Sequence, residues 1–422
     1  MKKFIILWVG QSISSLGSGM TAFALIVWIY SQKGTATSVT MLSFFTYLPS
    51  ILFCFIAGTL ADKWDKKKTM LVSDFIAAIG TSTVFILYAT GNLEIWHLYV
   101  VNFVIGLMGA FQSPASSVAF SLIVPKDKYV KASGMQGFSG SLNSILTPIL
   151  ATSILAFGGL EVVFTVDLIT FAIAFSSLLL FIKVPKIHLK DEKKEGSFLK
   201  NCLEGLEFLK NNRALFQLIL YMSLINLLAY LGGFGILPAM ILARTGGNET
   251  ILGMVSSGIG IGMLFGSILV ILMKPSKRKT RLIFLTMAIS FFLGDIFWGL
   301  GKNSIIWILA SFGGNMLVPF TTSSMATIMR INVPLEMQGR VFSARDTLQY
   351  FTIPIAFFIG GLLSDNVLEP FMAGTSNLRN IFSMLVGTGK GSGMAILFLF
   401  TGIVGVVSSL INLRNPIFKN LD

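Results

Sequence analysis

The sequence predicts an all-α membrane protein: twelve transmembrane helices in two pseudo-symmetric six-helix halves, with both termini cytoplasmic. Composition is the first reason. Of 422 residues, 54% are hydrophobic and 12% charged, and mean hydropathy is +0.79. Soluble domains carry about 25% charged residues. The second reason is that apolar runs recur along the whole chain, each near the roughly 20 residues a helix needs to cross hydrocarbon. Backbone polar groups in lipid must be satisfied internally, so these runs are helices. Third, the basic residues are sorted: alternate connecting segments hold 27 Lys and Arg, and the others hold only Lys33, Arg244, Lys302, Arg379 and Lys390. Cytoplasmic loops gather Lys and Arg, which places both ends inside. The net charge of +13 is therefore an orientation signal, and nucleic acid is excluded as a partner.

The spans are expected near residues 4–31, 38–61, 69–91, 95–123, 131–157, 161–183, 214–243, 249–273, 281–300, 304–329, 339–365 and 391–413. This gives an N-terminal half over 1–183, a cytoplasmic linker over 184–213 and a C-terminal half over 214–422. In the linker, Phe198, Cys202, Leu206 and Leu209 recur at helical spacing among Lys and Glu, which predicts a helix on the membrane surface. The halves repeat weakly. Val124-Pro125 leads to Met135-Gln136-Gly137-Phe138-Ser139, and Val333-Pro334 leads to Met337-Gln338-Gly339-Arg340-Val341-Phe342-Ser343. Cys54 and Cys202 give no disulfide framework. Met1-Lys2-Lys3 runs straight into a full span, so no cleavable leader is expected.

Between the second and third spans lies Gly58-Thr59-Leu60-Ala61-Asp62-Lys63-Trp64-Asp65-Lys66-Lys67-Lys68, too charged to enter a bilayer. This string resembles the loop between helices two and three of major facilitator superfamily transporters. With Gly10-Gln11 in the first helix and Gln338-Gly339-Arg340-Val341-Phe342-Ser343 before the eleventh, it resembles the branch of bacterial macrolide-efflux proteins and enterobactin-type exporters. The resemblance implies a multi-pass protein of the bacterial cytoplasmic membrane that works as a monomer. It implies secondary active export of a bulky amphiphile by alternating access, with protons as coupling ion. A siderophore exporter and a lysophospholipid flippase of the same fold are the alternatives. A sensor or immunity protein with a transporter fold is a further one. Gly58, Asp62, Lys63, Lys66 and Lys67 are then gating residues, as are Gln338, Gly339, Arg340 and Arg345. Asp62 would pair with the cytoplasmic end of the eleventh helix. Asp74 would brace the charged loop, and Glu336 with Arg340 would brace another. The sequence also departs from the pattern. Asn102 stands about where proton-coupled exporters carry an arginine, and Thr147-Pro148-Ile149 keeps only the proline of the antiporter signature.

Ionisable residues inside a membrane are functional candidates because an unpaired charge costs several kcal/mol there. Asp167 and Asp346 are the candidates for proton coupling; Asp167 and Asp295 are expected on peripheral helices near their outer ends. The polar residues of the expected lining helices are Gln11, Ser15, Asn102, Gln112, Gln136, Asn143, Asn226, Tyr230, Asn315 and Thr322, with Phe44 adding apolar surface. Aromatics with scattered hydrogen-bonding groups suit a bulky amphiphile. No cofactor or metal site is expected. Gly387-Thr388-Gly389-Lys390-Gly391 lacks the Ser or Thr of a phosphate loop, and His97 and His188 stand alone. No nucleophile or cofactor loop survives, so an enzyme is not expected. Gly258, Gly262 and Gly266 recur every four residues, which predicts a helix face packed closely on a neighbour.

Overall fold

Apolar runs fold here as helices, and no strand occurs among the described residues. The computed structural model describes residues 1–125, 128–182, 198–274, 276–334 and 337–421. The side chains at 2, 54–63, 130, 198–203 and 339 lie outside that description. The first long helices are α1 (Lys2–Lys33), α2 (Ala36–Lys63), α3 (Lys66–Ala89), α4 (Ile95–Ile123) and α5 (Tyr129–Phe181). The linker helix α6 (Phe198–Asn211) leads to α7 (Arg213–Leu231), α8 (Leu237–Arg244) and α9 (Glu249–Leu272). Next come α10 (Lys279–Phe291), a π-helical turn (Phe292–Ile296), α11 (Phe297–Leu300), α12 (Ser304–Met316) and α13 (Val318–Asn332). After these follow α14 (Gln338–Tyr350), α15 (Thr352–Leu363), a second π-helical turn (Ser364–Leu368), α16 (Glu369–Ala373), α17 (Asn377–Val386) and α18 (Ser392–Arg414).

Polar side chains set several helix starts. Asp65, Asn212, Asn248, Asn303 and Ser376 each accept an N–H of the first turn that has no partner within the helix. Eleven helical stretches among the described residues are long and apolar enough to cross a membrane. The longest, α5, is broken at Gly159, whose φ of 66° suits a residue without Cβ. Each limb is then of spanning length.

The chain forms two compact units. Unit 1 comprises residues 1–33 and 41–193, and unit 2 comprises 34–40 and 194–422. The short piece 34–40 joins unit 2 because the Asp365 carboxylate accepts the N–H groups of Ala36 and Thr37, at 3.0 and 2.7 Å, and so caps α2. In unit 1, α1 packs along α5, and α3 lies against α4 and α5. In unit 2, α9 packs on α12, α10 on α13 and α18, and α7 on α15. The α9–α12 contact uses the predicted glycine face: a Cβ at Gly262 would strike the Phe312 carbonyl, and one at Gly266 that of Met316.

The linker helix α6 packs on other helices of unit 2. Leu209 is fully buried among Leu215, Ile283, Phe284 and Val341, and Gly205 abuts the backbone of Arg340. The apolar stripe that reads as lipid-facing thus packs, in its described part, on α14 and α7. Phe198 and Cys202 have side chains outside the description. Near the predicted outer face, the Arg244 guanidinium donates to the carbonyls of Gly301, Val386 and Gly391. Burial pushes its pKa down, against the pull of the Glu369 carboxylate.

Candidate transport cavities

Trp8, Gln11, Ser12 and Ser15 recur at three- and four-residue spacing and so share a face of α1. The first limb of α5 presents Gln136, Ser139, Gly140 and Asn143 at matching spacing. The two faces meet. The Trp8 indole N–H donates to the Met135 carbonyl at 3.0 Å, Ser139 Oγ to Ser12 Oγ, and Asn143 Nδ2 to the Ser12 carbonyl. Together with Phe4, Leu7, Ser116 and Phe120 they enclose a cavity of about 290 Å³. No titratable side chain lines it among the described residues. We call it the amide cavity.

A second cavity of unit 1, about 320 Å³, is lined by Ser18 and Thr21 of α1, Thr46 and Tyr47 of α2, Asp74 and Thr81 of α3, Asn102 of α4, and Phe164 and Asp167 of α5. This acid cavity holds two carboxylates, and no Lys, Arg or His lines it among the described residues. Asp167 is buried and accepts hydrogen bonds from Thr21 Oγ1 at 2.8 Å, Ser18 Oγ at 3.0 Å and Thr81. Asp74 accepts from Gln112 Nε2 at 2.5 Å and Gln11 Nε2 at 3.3 Å. Donors of this kind offset part of the cost of a carboxylate away from water. Gln11 therefore lines the amide cavity while bonding a carboxylate of the acid cavity.

Unit 2 holds a third cavity, of about 250 Å³, lined by Asn226, Tyr230, Phe234, Met263, Asp295, Trp298, Asn315 and Thr322 among others. Asp295 sits on the π-helical turn after α10 and accepts from Thr401 Oγ1 at 2.9 Å. π-Helical turns inside α-helices are frequent at functional sites.

The sequence-predicted residues thus divide among three cavities. Gln11, Ser15, Gln136 and Asn143 line the amide cavity, Asn102 the acid cavity, and Asn226, Tyr230, Asn315 and Thr322 the third. Gln112 holds Asp74, and Phe44 packs edge-on against Phe45. Asp167 and Asp295 are both buried, and each carboxylate accepts from a hydroxyl donor of a neighbouring helix. The described partners of Asp74 are amides of α1 and α4, while Lys66 Nζ donates to the Trp64 carbonyl and Lys67 Nζ to that of Leu179; the side chains of the charged loop at 58–63 lie outside the description. Asp346 is a half-exposed ion-pair partner, bonded to Arg345 at 2.7 Å, and the Arg345 guanidinium lies 4.9 Å from the Phe342 ring centroid. Arg340 pairs with Glu204 of α6. Gln338 Nε2 donates to the carbonyls of Arg330 and Val333. Gly58, Asp62, Lys63, Glu336 and Gly339 fall outside the described residues or side chains. Sequence reasoning missed the aromatic wall of the amide cavity, Phe4, Trp8 and Phe120; the Trp8–Gln11–Ser15 spacing was the available signal.

A family model described as "Major Facilitator Superfamily" matches residues 7–357. Macrolide efflux protein A of Streptococcus pyogenes is 25% identical over 368 residues, covering 86% of this chain and 90% of that protein. Macrolide efflux protein A of Enterococcus faecalis is 25% identical over 325 residues, covering 76% of this chain and 99% of that protein. Among solved structures, the nucleoside transporter NupG superposes with a TM-score of 0.70 at 13% identity, covering 98% of this chain and all of that one. At that identity the likeness concerns the fold alone.

Proposed function

The chain belongs to the major facilitator superfamily, and on that premise we propose that it exports bulky amphiphilic compounds of macrolide type by alternating access, with protons driving the exchange. It is an efflux transporter of small molecules and a multi-pass protein of the bacterial cell membrane. We read the candidate spans, with the two limbs of α5 taken separately, as twelve crossings with both termini cytoplasmic, and the working unit as a monomer. The substrate reading rests chiefly on the amide cavity. Its wall alternates aromatic faces, Phe4, Trp8 and Phe120, with neutral donors and acceptors, Gln11, Ser12, Ser15, Gln136, Ser139 and Asn143. A macrolide offers a broad apolar ring edged with hydroxyls and carbonyls. Such a surface needs apolar contact and scattered hydrogen bonds more than a fixed charge. The gating residues named from sequence, Asp62 with Arg345 foremost, belong to the same proposal.

The test is accumulation of labelled erythromycin by inverted membrane vesicles under an imposed proton gradient. Accumulation that collapses with an uncoupler is expected. Accumulation that ignores the uncoupler would remove proton antiport, and none from folded protein would remove the macrolide class. Accumulation of a labelled lysophospholipid or siderophore instead would move the assignment to that substrate.

A further inference from the structure

We propose that Asp74 is the proton-responsive group of unit 1, and that Gln11 carries its state from the acid cavity to the amide cavity. The geometry that carries this is the double placement of Gln11. Its side chain lines the amide cavity, and its Nε2 donates to Oδ2 of Asp74, which lines the acid cavity. The other carboxylate oxygen accepts from Gln112 Nε2. The carboxylate is thus held between neutral amides of α1 and α4, with no cation facing it among the described residues. Across the acid cavity stand Asp167 on α5 and Tyr47 on α2. On α3 itself the charged residues are Lys66, Lys67 and Lys68 at its start, and the ammonium groups of Lys66 and Lys67 donate to backbone carbonyls.

Protonation changes what the two amides must do. An ionised carboxylate only accepts, so both amides point their N–H groups at it. A protonated one carries an O–H donor, and a converging amide N–H then faces a hydrogen. Turning one amide over lets its carbonyl accept that O–H. The Gln11 bond, at 3.3 Å, is long for an amide donor, so Gln11 is the one held more loosely. When it turns, its NH₂ replaces its carbonyl on the other side. The amide cavity is then offered an acceptor while Asp74 is charged and a donor once Asp74 has taken a proton from water. A substrate group that prefers one of these is bound in one state and released in the other, which is what exchange against a proton requires.

Trp8 lines the amide cavity too, so its indole is a built-in reporter. Fluorescence of the full-length chain in lipid nanodiscs is followed from pH 5 to 9, and the Trp8 part is isolated by difference from Trp8→Phe. One titration step is expected. Asp74→Asn should abolish it. Asp74→Glu should keep the step and shift its midpoint, which guards against a variant that merely fails to fold. Gln11→Met should also abolish the step while the infrared band of the protonated Asp74 carboxyl persists. No step in the intact chain, a step surviving Asp74→Asn, or a step lost with Asp167→Asn alone would overturn the proposal. These readings need no substrate, so they stand apart from the export reading. The transport arm rests on that reading: Asp74→Asn should lose gradient-driven accumulation of labelled erythromycin at least tenfold, and full accumulation by this variant would also overturn the proposal.

Discussion

The buried carboxylates Asp167 and Asp295 are held by the same chemistry with the partners exchanged. In unit 1 the acid is on α5 and one of its hydroxyl donors, Thr81, is on α3. In unit 2 the acid follows α10 and its donor, Thr401, is on α18. A buried acceptor deprived of its donor costs about 1–3 kcal/mol. Thr401→Val should therefore lower the thermal midpoint of the detergent-solubilised protein, while Thr401→Ser, which keeps the hydroxyl, should not. Arg244→Met should destabilise by a similar amount, about 1–3 kcal/mol, because three carbonyls lose a charged donor at once. Each carboxylate was legible in the sequence as an acid inside an apolar run. Its direction was not, because burial depends on which face of the helix meets a neighbour, and hydropathy carries no such phase when every face is apolar.

Among the helices, two kinds of break explain where the sequence reading succeeded and where it stopped. The expected gap between spans at residues 157 and 161 matches the bend at Gly159, since Gly158-Gly159 interrupts an apolar run with two weak helix formers. Gly159→Ala should cost about 1–3 kcal/mol, because φ 66° with ψ −171° is backbone essentially reserved for glycine. By contrast, the span expected over 214–243 is two helices, α7 and α8, parted by a turn through Gly232, Gly233 and Gly235. That turn remains fully apolar in composition, so a hydropathy window passes over it. The predicted glycine face of α9 packs as its four-residue spacing suggests, because small residues let backbones approach. Gly262→Leu would thrust a side chain into the Phe312 carbonyl and should abolish the folded, monodisperse peak in size-exclusion chromatography. Asp365→Ala removes the distant cap of α2 and should cost about 1 kcal/mol of stability.

For the molecule as a whole, charge sorting assigns sides. Cysteines placed singly at Lys302 and Lys390 should react with an impermeant reagent from outside intact cells, and one at Lys277 only after the membrane is opened. Asp62→Asn should abolish transport while leaving expression and folding intact, as vesicle uptake and size-exclusion profiles would show; normal export by this variant would remove Asp62 from the gate. The polar residues proposed to meet substrate were visible in the sequence, but their division among three cavities was not, because it depends on contacts between helices far apart in the chain. The Arg244 guanidinium holds the carbonyls of Val386 and Gly391, which flank Lys390. Trypsin cutting after Lys390 would leave both new chain ends fastened to one side chain. The nicked protein should then run as two fragments in a denaturing gel and still elute as one particle in mild detergent.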